Sequence, residues 1–532
     1  MYRALVLVVL GHLLTLSATA GPSAPPAYLD PVAEKAAFDA LIHPIPQDTV
    51  EAYIAVAPAP HRFSDRAGQN DALKAKALRT NGTKVLEIGE HFPVTLAPET
   101  MFPEPFNDGQ RWVFLDSIQS TDAYGVRLQL DLSGLLTGQT LYIIDPTMPR
   151  AFGPYTAADA LPDGRWMPTV LGDTAQILVY SDTNTKPVVG VLSLSHIFED
   201  LNNLPKILSC NVDIECETNP DIYDAANAVG VLLIDLGLST GLCTGSLINN
   251  PLTEALEPFM ITANHCIANE SEAVGTEMRY DYRAVSCGSG DTTNFSSLPR
   301  SDVTELIATN ANFDTTLLRL DSVPSGQFGR SFLGWETRTP LVDEAVTCIH
   351  HPGGTEQRVN HGHVNEVGVR VLGYRNQTEV VWDVSGVTEG GSSGSPLMFE
   401  STVQLFGMLS GGPQHSCGSN RSGNIDNYSS FRDFFPQIEA YVNSTNPPGG
   451  GGGGGGVNCP AKKAYGDLPE LLGKLRAFRD NGLATSVLGQ KVIDGYYTAA
   501  PTAADAVETS ETARNAFKAI SAPFATVGSW LD

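Results

Sequence analysis

Short apolar runs separated by Gly, Pro and Asp recur along most of the chain. Residues 125–132 alternate apolar and polar side chains with a period of two, which is typical of half-buried strands. Residues 141–144, 229–234 and 379–384 are short, mostly apolar runs of strand length. Because the runs are short and bounded by turn residues, the pattern predicts a mostly β protein, with a small β-sandwich in residues 21–206.

The two ends of the chain differ from this pattern. Residues 1–20 combine Arg3, an apolar stretch and a small-residue end at Ala20, which together predict a signal peptide. No later apolar run is long enough to span a bilayer, so we expect no membrane span. Residues 446–457 are a Pro/Gly linker, and leucines at helical spacing predict a small helical domain in residues 458–532.

Length and charge narrow the classes of function. The chain has 532 residues and a formal net charge of −26. Such a charge repels phosphates, so we expect no nucleic-acid partner and no anionic membrane surface. An exported chain with 8 cysteines is expected to form disulfides, although sequence alone does not choose their pairing.

Three motifs carry candidate chemistry. Residues 390–396 form a Gly- and Ser-rich turn around Ser393, His265 follows an apolar run, and Asp314 leads into another. Acyl transfer can use a hydroxyl as the nucleophile, an imidazole that activates this hydroxyl, and a carboxylate that orients the imidazole. The order His, Asp, Ser excludes an α/β-hydrolase, and so does Ser395 where that elbow needs Gly.

The histidine and serine motifs resemble the chymotrypsin-like serine peptidases, whose fold is two six-stranded antiparallel β-barrels. Within that group they resemble the bacterial lysyl endopeptidases most closely. The resemblance implies that Ser393 is the nucleophile, His265 the general base and Asp314 its orienting partner. It also implies an oxyanion hole built from the N–H groups of Gly391 and Ser393. Protein or peptide substrates are therefore expected.

No cofactor is expected, and the candidate metal ligands are weak. Histidines stand at 350, 351, 361 and 363, but the carboxylate or cysteine spacing of a zinc site is missing. The Ser–His–Asp chemistry needs no metal. We therefore expect no metal site.

The same resemblance implies three disulfides. The implied pairs are Cys210–Cys417, Cys216–Cys287 and Cys243–Cys266. Cys348 and Cys459 have no counterparts in that pattern. They are open to pairing with each other, to remaining free, or to bridging another chain.

Substrate preference is less clear from the sequence. Val387 occupies the position where trypsin-like enzymes carry the aspartate that binds basic residues. Lysyl endopeptidases use a later aspartate, and Asp426 is its candidate equivalent, displaced by three residues. Ser410, Gly411 and Gly412 are expected to pair with the substrate backbone, although lysyl enzymes carry a histidine at the first of these positions. Cleavage after lysine is favoured, with a non-basic preference as the alternative.

The domain order indicates a preproenzyme. Residues 21–206 are predicted to be a propeptide that inhibits or assists folding, or alternatively a permanent targeting or substrate-binding domain. Lys206 is the candidate processing site, and the peptidase is predicted over 207–445. Residues 458–532 resemble in part the CFI-box region of bacterial exported proteins. A binding or adhesion protein that has lost its chemistry remains the non-enzymatic alternative.

Overall fold

The computed structural model describes residues 21–29, 44–77, 85–96, 98–204, 206–253, 256–324, 326, 328–417, 423–445 and 447–448. The predicted signal peptide with Ala20, the predicted helical C-terminal domain with Cys459, and the glycine run of the linker lie outside these residues. The described part is mostly β, which confirms the predicted fold class. None of its helices has the length and apolar character needed to cross a membrane.

The N-terminal region contains short strands and two described helices. The strands are β1 (Ser23–Ala24), β2 (Ala27–Leu29), β3 (His61–Phe63), β4 (Leu86–Leu96), β5 (Phe106–Asn107), β6 (Trp112–Ser120), β7 (Gly125–Asp131), β8 (Gln139–Asp145), β9 (Arg150–Tyr155), β10 (Arg165–Trp166), β11 (Val170–Leu171), β12 (Thr174–Ser181) and β13 (Gly190–Ile197). The helices are α1 (Gln47–Val56) and α2 (Asn70–Ala77).

These strands form two facing sheets. One sheet has the order β3-β6-β12-β8-β9 with β5 on β6, and the other contains β10, β11, β7, β13 and β4. Their inner faces share one core, in which Phe114 and Ile177 of the first sheet are buried together with Leu128 and Leu194 of the second. Alternating apolar residues thus supply both inner faces, as in a β-sandwich.

The rest of the described chain contains a second set of strands and three helices. The strands are β14 (Val212–Asp213), β15 (Val229–Asp235), β16 (Ser239–Leu247), β17 (Phe259–Thr262), β18 (Glu277–Arg279), β19 (Arg300–Asn310), β20 (Thr315–Leu320), β21 (Arg330–Phe332), β22 (Trp335–Glu336), β23 (Ala345–His350), β24 (Arg358–Val371), β25 (Tyr374–Ser385), β26 (Pro396–Phe399), β27 (Leu405–Gly411) and β28 (Ile425–Tyr428). The helices are α3 (Pro220–Ala225), α4 (Glu270–Val274) and α5 (Phe431–Val442).

Twelve of these strands close into two six-stranded antiparallel barrels. Barrel 1 runs β15-β16-β17-β20-β19-β18 and returns to β15. Barrel 2 runs β23-β24-β25-β28-β27-β26 and returns to β23. Closure removes free strand edges. The two barrels are the architecture that the resemblance to chymotrypsin-like peptidases implies.

The N-terminal region pairs directly with the peptidase region. Strand β4 is hydrogen-bonded to β16 of barrel 1, with Leu86 opposite Leu242. The β1 strand pairs with β22, and β2 pairs with β21. The chain immediately after the predicted signal peptide is therefore part of the peptidase region, since Ala24 is fully buried there.

The structure contains three disulfides with the pairing that the resemblance implies. Cys210–Cys417, Cys216–Cys287 and Cys243–Cys266 span 207, 71 and 23 residues of sequence. The last joins β16 to the residue after His265. Cys348 is buried without a disulfide, and burial raises the pKa of its thiol to about 12. Because disulfides persist in oxidising compartments, the three bridges fit an extracellular protein.

Buried charges join the N-terminal region to barrel 1. Arg127 of β7 donates through Nη2 to Gly275 O at 2.5 Å, and Arg279 donates to Thr169 O at 2.8 Å. Glu277 accepts from Thr169 N at 3.2 Å and from Arg300 Nε at 3.1 Å. Burial alone would raise the pKa of Glu277, but the surrounding arginines outweigh it and lower the pKa to about 2.

Replacing Glu277 with Gln should destabilise the protein by roughly 3–5 kcal/mol at pH 7, because it leaves buried arginines without their counter-charge. The pKa of Glu277 is depressed on folding, so its contribution is present above pH 4.5 and lost as pH falls towards 2. The variant should therefore lose less stability than the wild type between pH 5 and pH 2. Urea denaturation across that range measures both effects.

The matched control is Glu366→Gln, which makes the same change on an exposed residue of β24. It should shift the urea midpoint little, because exposed charges contribute little to stability. Equal destabilisation by the two substitutions would contradict the assigned role of the buried cluster.

Candidate active site

Three loops between the barrels bring together the residues predicted to perform catalysis. His265 follows β17, Asp314 directly precedes β20, and Ser393 lies in the turn before β26. His265 Nε2 lies 2.8 Å from Ser393 Oγ, and His265 Nδ1 lies 2.8 Å from Asp314 Oδ2. These distances form one continuous hydrogen-bonded chain from carboxylate to hydroxyl.

Asp314 is positioned to fix the imidazole. Its side chain is fully buried, and its Oδ1 also accepts the backbone N–H of His265 at 2.9 Å. A carboxylate that bonds both Nδ1 and the backbone N–H favours the tautomer that leaves Nε2 to accept the serine proton. Asp314 adopts a φ of 60°, a left-handed conformation that Asp tolerates better than most residues.

Thr244 of β16 connects the histidine and serine loops. Its N–H donates to Ser393 O at 2.7 Å, and its hydroxyl donates to Gly391 O at 2.9 Å. Its own carbonyl oxygen accepts the hydroxyl of Thr262 at 2.9 Å, at the end of the strand that leads to His265. One strand of barrel 1 therefore holds the backbone on both sides of the reaction centre.

The turn around Ser393 needs glycine. Gly391 has a φ of 91°, and a Cβ there would lie 2.7 Å from His351 O and 2.8 Å from Gly354 N. The carbonyl of Gly390 accepts Gly353 N–H at 2.6 Å. The carbonyl and N–H of a trans peptide point in opposite directions, so Gly391 N–H points away from Gly353. Among the hydrogen bonds of the described residues, neither Gly391 N–H nor Ser393 N–H has an acceptor.

Ser392 is held by a buried histidine. His350 Nδ1 lies 2.7 Å from Ser392 Oγ, and His350 Nε2 lies 3.0 Å from Asn360 Oδ1. Ser392 Oγ also accepts Glu389 N–H at 3.1 Å. Burial lowers the pKa of His350 to about 3, so the ring is neutral at ordinary pH. With Nε2–H donating to Asn360, Nδ1 accepts the Ser392 hydroxyl, which fixes the turn from Glu389 to Ser393.

The residues predicted to bind substrate also lie close together. Ser410 and Gly411 end β27, and Gly411 is paired with Asn427 of β28. A Cβ on Gly412 would lie 2.3 Å from Asp426 Oδ1, so the candidate specificity residue is packed against the predicted substrate-pairing segment. Asp426 is fully buried.

The predicted processing site lies near the nucleophile turn. Lys206 is exposed, and two residues further on Leu208 N–H donates to Glu389 Oε1 at 2.8 Å. Asn211 contacts the same carboxylate at 2.7 Å through Nδ2 and accepts Val387 N–H at 3.1 Å. The uncut chain therefore already contacts the turn that carries Ser393.

The four histidines considered as metal ligands each contact a different partner in the protein. His361 Nε2 contacts Glu217 at 2.9 Å, while His363 Nδ1 contacts Asp383 at 2.9 Å. His350 bonds Ser392, and His351 Nδ1 lies 2.8 Å from Thr355 O. Each ring thus has its own protein partner.

Two residues of the site were missed by sequence reasoning. The sequence marks His350 only as a weak candidate metal ligand, and it gives His415 no role. The signal for His350 was its place at the end of an apolar run, because a buried histidine there needs a polar partner. His415 lies in a polar, glycine-rich segment that shows no periodicity, so the sequence offered no signal for it.

A protein-family model and a curated protein each match part of this chain. The family model of the lysyl endopeptidase C-terminal domain matches residues 206–429. Secreted RxLR effector protein 73 of Plasmopara viticola is 30% identical over 217 residues, covering 40% of this chain and 50% of the relative. This chain therefore spans half the length of that curated relative.

Similar solved structures are also proteases. The active form of the Rv3671c protease from M. tuberculosis is 16% identical, covers 47% of this chain and 94% of its own, and has a TM-score of 0.31. The HtrA-type protease AlgW with a tripeptide is 19% identical, covers 41% of this chain and 62% of its own, and has a TM-score of 0.28. The family match, together with the two closed barrels, supports a chymotrypsin-like serine peptidase.

Replacing Ser392 with Ala should lower kcat by at least about 10-fold with little change in KM, because the substitution releases the turn that carries the predicted oxyanion donors. It should also cost about 1–3 kcal/mol of stability, since His350 Nδ1 and Glu389 N–H lose their partner. Steady-state kinetics on a peptide substrate and urea denaturation measure the two effects.

Ser392→Thr retains a hydroxyl and should recover most of the activity. The matched control is Ser395→Ala, which removes a buried hydroxyl from the same loop, where it contacts Cys348 Sγ at 3.2 Å. If Ser395→Ala lowered kcat as much as Ser392→Ala, a general loosening of the loop would explain both results.

Proposed function

We propose that this protein is a secreted serine endopeptidase that hydrolyses peptide bonds through Ser393, His265 and Asp314. The observation that carries the proposal is the 2.8 Å distance between Ser393 Oγ and His265 Nε2, with Asp314 on the far side of the ring. Each residue comes from a different loop, and they meet between two barrels. A purely structural histidine would not need both a buried carboxylate and a serine hydroxyl in line.

The proposed reaction follows from this arrangement. Ser393 Oγ attacks the scissile carbonyl while His265 Nε2 takes its proton, and the imidazolium that forms is stabilised by Asp314. The tetrahedral oxyanion accepts hydrogen bonds from the N–H groups of Gly391 and Ser393. His265 then protonates the leaving amine. Water hydrolyses the acyl-enzyme with the same base.

The preference for the residue before the scissile bond, called P1 below, rests on Asp426. Cleavage after lysine requires its carboxylate to meet the substrate cation, and the position of Asp426 beside Gly412 supports this. A non-basic preference is supported by a different observation, since His415 Nε2 already lies 2.9 Å from Asp426 Oδ2. A catalytically silent binding protein is disfavoured because all three reacting residues are in hydrogen-bonding contact.

For the regions outside the barrels, we propose export by the signal peptide of residues 1–20, with cleavage after Ala20. Residues 21–206 then act as a folding aid that also borders the active site. Leu86 Cβ would lie 3.5 Å from a Cβ on Gly390, and β4 adds a strand beside the nucleophile turn. The CFI-box-like residues 458–532 remain a proposed sorting or self-association domain.

Replacing Ser393 with Ala should lower kcat by roughly 10⁴- to 10⁶-fold, because the nucleophile is removed. Asp314→Asn should lower it by about 10⁴-fold through the wrong imidazole tautomer. The measurement is a cleavage-site map: a protein mixture is digested with each variant and the new termini are sequenced. Labelling with a fluorophosphonate, which reacts with activated serines, gives a second readout.

Wild type should be labelled at Ser393, and Ser393→Ala should not. Ser395→Ala, an identical change two residues away, should be labelled like the wild type. Cuts that persist unchanged in Ser393→Ala would show that another nucleophile or a contaminating protease is responsible, and the proposed function would be wrong.

Cutting the chain after Lys206 should leave the two fragments associated. The β4–β16 pairing and the buried bonds of Arg127 and Arg279 cross between the fragments. No cysteine precedes Cys210, so no disulfide can join them. The test is a variant with the recognition sequence of a specific protease placed before Ile207, cut and examined by size-exclusion chromatography.

Co-elution in native buffer and separation in denaturant are expected. The same variant left uncut is the control for elution volume, and Ser393→Ala should be included to prevent self-digestion. Separation of the fragments in native buffer would mean that the N-terminal region is released on processing, as a disposable propeptide would be.

A further inference from the structure

Asp426 is the residue proposed to receive the P1 side chain, but its Oδ2 already has three hydrogen-bond donors. Its Oδ2 accepts hydrogen bonds from Trp382 Nε1 at 2.8 Å, from the hydroxyl of Thr388 and from His415 Nε2 at 2.9 Å. These three donors share the two lone pairs of Oδ2, which leaves no room for a fourth. Trp382 and Thr388 are neutral donors, and His415 is the partner that can carry charge.

His415 is built into this position. Its side chain and that of Asp426 are both fully buried. His415 follows the predicted substrate-pairing segment in the chain. Nearby, Cys417 is joined to Cys210 by a disulfide. Ser416 N–H donates to Asn424 Oδ1 at 3.1 Å, and Asn424 Nδ2 donates back to Ser416 O at 3.0 Å. The segment carrying His415 is therefore fixed against the strand that carries Asp426.

A lysine at P1 would have to compete with this pair. Because Asp426 is fully buried, the ammonium group would need to displace His415 from Oδ2 or to reach Oδ1, which packs against Gly412. Removing one partner of a buried, hydrogen-bonded charge is costly. An uncharged side chain meets neither obstacle, because it leaves the His415–Asp426 contact intact.

We propose that His415 is the residue that sets the P1 preference, by holding Asp426 so that the pocket accepts an uncharged side chain in place of lysine. The inference rests on the proposed serine endopeptidase and decides between its two P1 preferences. Asp426 then serves to position His415 and the pocket wall, and its negative charge is not offered to the substrate. Removing His415 opens Oδ2 to an ammonium group.

The test compares peptide substrates that differ only at P1, with lysine or its uncharged analogue norleucine. Wild type should cleave the norleucine peptide with a kcat/KM at least equal to that for lysine. His415→Ala should shift the lysine-to-norleucine ratio towards lysine by at least about 10-fold, or about 1.4 kcal/mol. The double variant His415→Ala, Asp426→Asn should lose that gain, because the charge that attracts lysine is gone.

The control is His363→Ala, which removes a histidine paired with Asp383 outside the pocket and should leave the ratio unchanged. A wild-type kcat/KM higher for lysine than for norleucine would overturn the inference, and this measurement does not depend on any variant folding. An unchanged ratio in a folded His415→Ala variant would overturn it as well.

Fluorophosphonate labelling of Ser393 separates failure of this inference from failure of the proposed function. Labelled wild type that cleaves after lysine in preference to norleucine contradicts only the role of His415. Wild type that is neither labelled nor able to cleave any peptide contradicts the serine peptidase itself, and the P1 inference fails with it.

Discussion

The interaction on which the site depends is the set of bonds made by Thr244. Its N–H, hydroxyl and carbonyl contact Ser393, Gly391 and Thr262 within 2.7–2.9 Å. Because Thr244 belongs to barrel 1 and Ser393 leads into barrel 2, these bonds set the spacing between the two barrels at the point of reaction. Cys243, its neighbour, is bonded to Cys266 and adds a covalent link to the histidine loop. Positioning within about 0.5 Å is what such a site requires.

The strands and the three catalytic motifs could be predicted from the sequence. Residues 125–132 alternate with a period of two because one face of β7 enters the sandwich core, and the structure has this strand at Gly125–Asp131. Ser393 lies in a glycine-rich motif and His265 follows an apolar run, and each motif consists of residues that are adjacent in the sequence. Such local patterns can be recognised in a single sequence because they involve only neighbouring residues.

Contacts between distant segments could not be predicted in the same way. Leu86 and Leu242 are partners across 156 residues of sequence, and neither run shows which strand it pairs with. Asp426 stands in a polar segment that looks solvent-exposed, yet it is fully buried because Trp382, Thr388 and His415 supply donors. Polar residues are buried where long-range partners satisfy them, and those partners are invisible to hydropathy.

The candidate active site is ordered because hydrogen bonds hold the turn before Ser393. In trypsin-like zymogens an aspartate precedes the nucleophile and waits for a new amino terminus, whereas here Ser392 bonds to the neutral ring of His350. That bond exists in the uncut chain, and Leu208 and Asn211 already contact Glu389 at the start of the turn. The proposed cut after Lys206 is therefore not needed to place the proposed oxyanion donors, the N–H groups of Gly391 and Ser393. In the proposed function, control by the N-terminal region would therefore act on substrate access beside Gly390, where Leu86 lies, and not on the assembly of the proposed catalytic residues.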